Sequence, residues 1–148
     1  MKYSEKVSNQ LNELLEKNYD AEKGYLNAAE NVDSTRLKIF FKNRASERSE
    51  FAKNLRTEIL SYGQIPEDSG TFTGSMHRNW MSLKSLFSSN DEEAILEEAI
   101  RGEKANYDEY CEILKDNEFA PSTEKLLDRQ KIKIQSAINS LMVEEELA

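Results

Sequence analysis

The sequence is poor in the residues that interrupt helices and in those that link a chain covalently. Its 148 residues include only two prolines and five glycines, a scarcity that favours long helices over many short strands. Cys111 is the single cysteine, so the chain alone can form neither a disulfide nor a cysteine-based zinc site, as expected in a reducing compartment. A chain of this length can bury a core without such links. We expect residues 1–148 to form one all-α domain.

Positive charge and long apolar runs are also scarce. With 28 acidic and 20 basic residues the net charge is −8, which repels phosphate backbones and anionic lipid headgroups. No apolar run is long enough for a signal sequence or a membrane span. We therefore expect neither nucleic acid nor membrane as a partner, and we predict a cytoplasmic location.

Four stretches carry apolar residues at helical spacing, which predicts four long amphipathic helices. They run from Val7 to Val32, from Leu37 to Tyr62, from Leu96 to Leu114 and from Leu127 to Leu141. The connections between the first two and between the last two are short, so each pair should be an antiparallel hairpin.

The helix starts carry capping residues. Asp33 or Ser34 is the expected N-cap of the second helix, and Asn90 that of the third.

Residues 63–90, between the second and third helices, can span the length of a bundle. One long crossover of this kind is typical of the ferritin-like arrangement.

The stretch "GSMHRNWM" within this crossover holds the only histidine, His77, and the only tryptophan, Trp80. Its apolar residues recur at helical spacing, which predicts a short amphipathic helix lying along the bundle. The neighbours of His77 form no metal-ligand set. We therefore interpret His77 and Trp80 as docking residues. A small-molecule pocket beneath the crossover near Trp80 is the alternative interpretation.

A polar residue interrupts each of the four apolar patterns near its midpoint: Asn18, Arg48, Glu103 and Gln130. In an antiparallel bundle all four should share one layer. A buried charge costs several kcal/mol unless it is paired. We therefore predict that Arg48 faces Glu103 and that the two amides complete an internal network. The hydroxyls of Tyr25, Tyr107 and Tyr110 are expected nearby.

Three stretches of the sequence carry a resemblance: "LNELLEKNYDAEKGYLNAAE", "FAKNLRTEILSYGQIPEDSGTFTGSMHRNWMSLKSLF" and "LEEAIRGEKANYDEY". They resemble a bacterial family of four-helix-bundle proteins with a ferritin-like domain of unknown function. The resemblance runs from about residue 8 to residue 141. It implies a ferritin-like fold with a long crossover between the second and third helices. It implies no activity, because that family has none assigned.

The resemblance also implies a comparison with di-iron members of the wider ferritin-like superfamily. Those proteins place a carboxylate on helices 1 and 3 and a Glu-x-x-His pair on helices 2 and 4. Glu103 matches the helix 3 position, but Asn18 stands at the helix 1 position. The helix 2 pair reads Arg48 and Phe51, and neither register on helix 4, Gln130 with Lys133 or Gln135 with Ile138, contains histidine.

Two hypotheses follow. In the first, the protein is a non-enzymatic bundle without a cofactor, and Arg48 neutralises the charge of Glu103. Such a protein would act by self-association or partner binding, in a stress-related role. Homo-oligomers are expected because one four-helix core cannot hold all of its apolar candidates, which are Tyr19, Phe40, Phe51, Phe119 and part of the helix from Met76 to Phe87. In the second, a degenerate metal or redox protein binds one ion through Glu103. An inward-facing Arg48 would favour the first hypothesis, and an outward-facing one the second.

Overall fold

The computed structural model describes residues 2–68 and 91–148. These residues form four helices, α1 (Tyr3–Asn31), α2 (Thr35–Ser61), α3 (Glu92–Asp116) and α4 (Pro121–Leu147), and no strand occurs among them. The prediction of an all-α four-helix arrangement is confirmed for this part of the chain. None of the described helices is long and apolar enough to cross a membrane.

Side-chain caps begin two of the helices. Ser34 caps α2, and its hydroxyl accepts a hydrogen bond from the backbone N–H of Leu37 at 3.2 Å. For α3 the predicted cap is wrong, because Asp91 rather than Asn90 precedes the helix and accepts from the N–H of Ala94 at 3.0 Å. Asp and Asn cap equally well, so residue type could not separate these neighbours. Asn90 itself lies outside the described residues.

Contacts at the two ends of the bundle define its topology. The Tyr62 hydroxyl lies 2.8 Å from that of Thr123, so the end of α2 adjoins the start of α4. At the opposite end the backbone N–H of Asp33 donates to Glu92 at 3.2 Å, so the start of α3 adjoins the start of α2. Consequently α2 and α3 run in the same direction. The helices in close backbone contact are α1 with α2, α3 with α4, α1 with α3 and α2 with α4, so α2 and α3 lie on one diagonal and neighbouring helices are antiparallel. The described residues on either side of the long connection therefore lie at opposite ends of the bundle, as a crossover requires.

The described part of this connection turns back along α1. Gly63 has a φ of 75°, in the left-handed region that favours glycine. Further on, the N–H of Glu67 donates to the Asn12 side chain at 2.9 Å, and the Tyr19 hydroxyl donates to the Glu67 carbonyl at 3.2 Å. The stretch with His77 and Trp80, predicted to dock the crossover, lies outside the described residues.

Two apolar clusters fill the interior, one toward each end. The cluster near the α2–α4 junction includes Leu11 and Leu55, and the other includes Phe41 and Leu96. Most of the predicted core residues belong to one of the two. On α3 the buried face is shifted slightly, because Asn106 and Ile113 are buried while Tyr107 and Leu114 are only partly so.

The expected surplus of aromatic area is absent from the described residues. Tyr19, Phe51 and Phe119 are buried within the chain, and Phe40 packs against one of the clusters. Phe119 fills the end of the bundle from the α3–α4 link, and Tyr19 lies against the start of the long connection. The remaining apolar residues of that expectation, from Met76 to Phe87, lie outside the described residues. Among the described residues, these four aromatic side chains therefore leave no large surface for a second copy.

Candidate functional site

A polar layer separates the two apolar clusters. Asn18, Arg48, Glu103 and Gln130, one from each helix, are at most 2% exposed. Each lies near the middle of its helix. Each faces the interior because its apolar neighbours, three or four residues away, lie on the same side of the helix. The helices thus bring together all four side chains that the sequence pattern singled out.

Arg48 is the centre of this layer. One terminal nitrogen, Nη1, donates to Asn18 Oδ1 on α1 at 2.7 Å. The other, Nη2, donates to the Glu103 carboxylate and to Asn106 Oδ1, both on α3, the latter at 3.1 Å. The guanidinium carbon also lies 5.8 Å from the centre of the Phe51 ring. The planar fork of an arginine suits such simultaneous contacts, and here it links the diagonal pair α2 and α3.

The network continues through amides and a tyrosine to the fourth helix. Asn18 Nδ2 donates to the Tyr110 hydroxyl at 2.9 Å, and that hydroxyl donates to Gln130 Oε1 at 2.7 Å. Gln130 Nε2 then donates to the backbone carbonyl of Phe51 at 3.3 Å. A continuous series of hydrogen bonds therefore runs from Glu103 through Arg48 to α4.

The charges of the layer alter its proton equilibria. Burial disfavours the charged form of Arg48, but the facing Glu103 carboxylate more than offsets this and raises the pKa of the guanidinium. Burial raises the pKa of Tyr110 to about 12, although the Arg48 charge opposes that rise. The pKa of Tyr25 is raised well above its usual range, first by burial and then by the Glu103 charge. Both hydroxyls therefore stay protonated at neutral pH.

Asn106 is the member of the layer that the sequence pattern did not indicate. It is 1% exposed and accepts from Arg48, and its amide nitrogen lies 3.3 Å from Glu109 Oε1. A signal was present, since Asn106 follows Glu103 by three residues and so lies on the same face of α3. Tyr110, expected nearby as one of several hydroxyls, is a direct link in the network, whereas Tyr107 packs against an apolar cluster.

The donor set does not suit a di-metal centre. Among the described residues of the layer, Glu103 is the one carboxylate, and the other members are neutral amides, a phenol and a guanidinium. Among residues 2–68 and 91–148, no cluster of three or more histidine, cysteine, aspartate or glutamate side chains could hold a metal ion. Cys111 is partly buried, beside Tyr110 in the sequence.

A groove of about 330 Å³ opens between α2 and α4 beside the layer. Glu47 and Glu50 line it from α2, whereas Arg129 and Lys133 line it from α4. Its floor includes Gln130, the last member of the hydrogen-bonded series. The sequence pattern gave no indication of this groove, because it depends on how far apart the two helices lie.

Comparison with known proteins identifies a family but no activity. No curated protein matches the chain. A family model described as "Domain of unknown function (DUF2383)" matches residues 6–116. The match ends with the last residue of α3, so it includes Asn18, Arg48 and Glu103 but not Gln130. On this match, which covers most of the sequence and three of the four helices around the arginine, the chain belongs to the DUF2383 family.

Proposed function

We propose that this protein is a non-enzymatic ferritin-like bundle in which an arginine–carboxylate network stands in place of a di-metal centre, and that it acts by self-association. The observation that carries the proposal is the Arg48 guanidinium, buried between the helices and bonded to α1 and α3 at once. Of the two hypotheses drawn from the sequence, an inward-facing Arg48 favours this one.

The chemistry of the layer supports the absence of a di-metal role. A di-iron site needs several carboxylates and imidazoles that release their protons and turn toward the cations. Here Glu103 already bonds to a permanent cation, and a second cation in the same space would be repelled by Arg48. The residues present therefore do not fit a di-iron centre, and no catalytic step is assigned to one.

Exposed apolar side chains on α4 support self-association. Ile132, Val143 and Leu147 are 66%, 56% and 65% exposed. Ile132 and Val143 are three helical turns apart and so lie on one side of α4, and Leu147 follows Val143 by a further turn. Burying such residues against the same face of a second copy would remove apolar area from water in a symmetric contact.

Metal analysis tests the interior part of the proposal. The protein would be purified from cells supplemented with iron and manganese, and the metal content per chain measured for the wild type and for Arg48→Met. We expect well below one metal per chain in both, because removing the guanidinium still leaves one carboxylate. Two metals per chain bound in the wild-type bundle would refute the proposal.

Oligomer measurements test the association part. Light scattering coupled to gel filtration should give a mass above one chain for the wild type and the monomer mass for Ile132→Lys/Val143→Lys. Lys104→Gln/Lys115→Gln changes two exposed side chains on α3 by the same number of charge units and with the same spacing, so it serves as a control and should keep the wild-type mass. A wild type that stays monomeric at high concentration would contradict self-association and leave the metal result unaffected.

A further inference from the structure

The groove between α2 and α4 has the size and position of a ligand site. Its volume of about 330 Å³ lies at the lower end of the range for small-molecule pockets. Phe51 and Gln130 on its floor are each 2% exposed, and Leu126 at its side is 8% exposed. The groove therefore combines an apolar base with one buried amide.

Opposite charges line the two walls without neutralising each other across the space. Glu47 and Glu50 belong to the α2 wall, and Arg129 and Lys133 to the α4 wall. Within residues 2–68 and 91–148, no ion pair joins one wall to the other, and Glu47 instead pairs with Arg44 on its own helix at 3.1 Å. A ligand in the groove would meet acidic groups on one side and basic groups on the other.

Such a division of charge selects against ions of a single sign. An anion attracted to Arg129 and Lys133 would be repelled by the two glutamates, and a cation would meet the reverse difficulty. A molecule with an ammonium group and a carboxylate can satisfy both walls. An apolar substituent on it would contact Phe51 and Leu126.

We propose that this groove binds a free amino acid with an apolar side chain, its carboxylate toward Arg129 and Lys133 and its ammonium toward Glu47 and Glu50. Gln130 provides a further contact at the floor. An amide nitrogen carries two hydrogens, and among the described residues its one hydrogen bond is the long one of 3.3 Å to the Phe51 carbonyl. The proposal is independent of self-association and of the metal content of the bundle.

Nuclear magnetic resonance titration of the isotope-labelled full chain with L-leucine tests the proposal. Backbone amide signals of the α2 and α4 segments around the groove should shift in a saturable way at millimolar leucine. N-acetyl-leucine lacks the ammonium group and leucinamide lacks the carboxylate. Each should bind about tenfold more weakly or worse, because one wall loses its partner.

Paired variants show whether the groove itself is responsible. Arg129→Gln/Lys133→Gln and Glu47→Gln/Glu50→Gln change side chains at the surface, so helix content measured by circular dichroism should be unchanged. Both should weaken leucine binding about tenfold or more, whereas Lys104→Gln/Lys115→Gln, on α3, should bind like the wild type. The proposal is wrong if leucine causes no saturable shift, if the blocked analogues bind equally well, or if the groove variants match the control.

Discussion

Two ion pairs that start from α2 show how strongly the surroundings decide the role of the same chemistry. Arg48 and Glu103 have side chains only 2% and 1% exposed, whereas Arg36 and Glu144 are 50% and 15% exposed. Both pairs join α2 to another helix. In the exposed pair, water can solvate either side chain when its partner is removed. In the buried pair no water replaces the partner, so each charged side chain depends on the other.

The largest expected effect comes from removing the buried cation. Arg48→Met should lower the free energy of unfolding by about 3–5 kcal/mol, because Glu103 is left as an uncompensated buried charge. Urea denaturation followed by circular dichroism measures the change. Arg36→Met, the same substitution 12 residues earlier on the same helix, is the matched control. Equal losses in the two variants would remove the difference between the pairs.

Neutralising both members of the buried pair should restore part of that loss. Arg48→Met/Glu103→Gln carries no unpaired charge, so we expect it to be more stable than Arg48→Met by about 2 kcal/mol. Full recovery is not expected, since Asn18 and Asn106 still lose the guanidinium. A double-mutant cycle built on the same urea data gives the coupling energy. Additive single losses would show that the two side chains do not depend on each other.

A smaller effect is expected at the tyrosine that extends the network. Tyr110→Phe removes bonds to Asn18 and Gln130 and should cost about 1–2 kcal/mol at neutral pH. The pKa of Tyr110 is raised to about 12 in the folded chain, against about 10 in an unfolded one.

The unfolded state therefore loses the Tyr110 proton first as pH rises, and the folded state loses stability between about pH 10 and 12. The slope of stability against pH in this range should be shallower in Tyr110→Phe than in the wild type. The raised pKa of Tyr25 should leave some slope in the variant. An unchanged slope would mean that Tyr110 titrates alike in both states.

The smallest effect is expected at the exposed pair. Arg36→Met should cost at most about 1 kcal/mol at low salt, and this cost should shrink further at high salt because mobile ions screen exposed charges. The cost of Arg48→Met should change little over the same salt range. Measuring both variants at low and high sodium chloride makes the comparison direct, and a salt-sensitive Arg48 would indicate that water reaches the layer.

Much of the fold is accessible from the sequence because the helices are long and regularly patterned. Val7, Leu11 and Leu14 predict the buried face of α1, and all three are buried. Local choices were less certain, as the cap of α3 shows, because Asn90 and Asp91 are chemically equivalent at that position. The burial of Phe119 was also missed, since a short link gives no periodic signal.

The candidate site divides in the same way. Asn18, Arg48, Glu103 and Gln130 could be singled out because a polar residue in an apolar pattern is visible in one helix at a time. Asn106 was overlooked because it lies beside the pattern rather than in it. The charged groove was beyond sequence reasoning, since its walls belong to helices more than 70 residues apart in the chain and its width depends on their packing.

The position of Arg48 has a consequence for how the two hairpins come together. Two apolar helix faces can shift along each other at a small cost in free energy, because one hydrocarbon contact is replaced by a similar one. A displacement of α2 along α3 by one helical turn, about 5.4 Å, would separate the guanidinium from the Glu103 carboxylate and leave that buried carboxylate without its partner. Arg48, a side chain of the first hairpin, thus fixes the register of the second hairpin. Arrangements with a shifted register are destabilised at the centre of the molecule rather than at its ends.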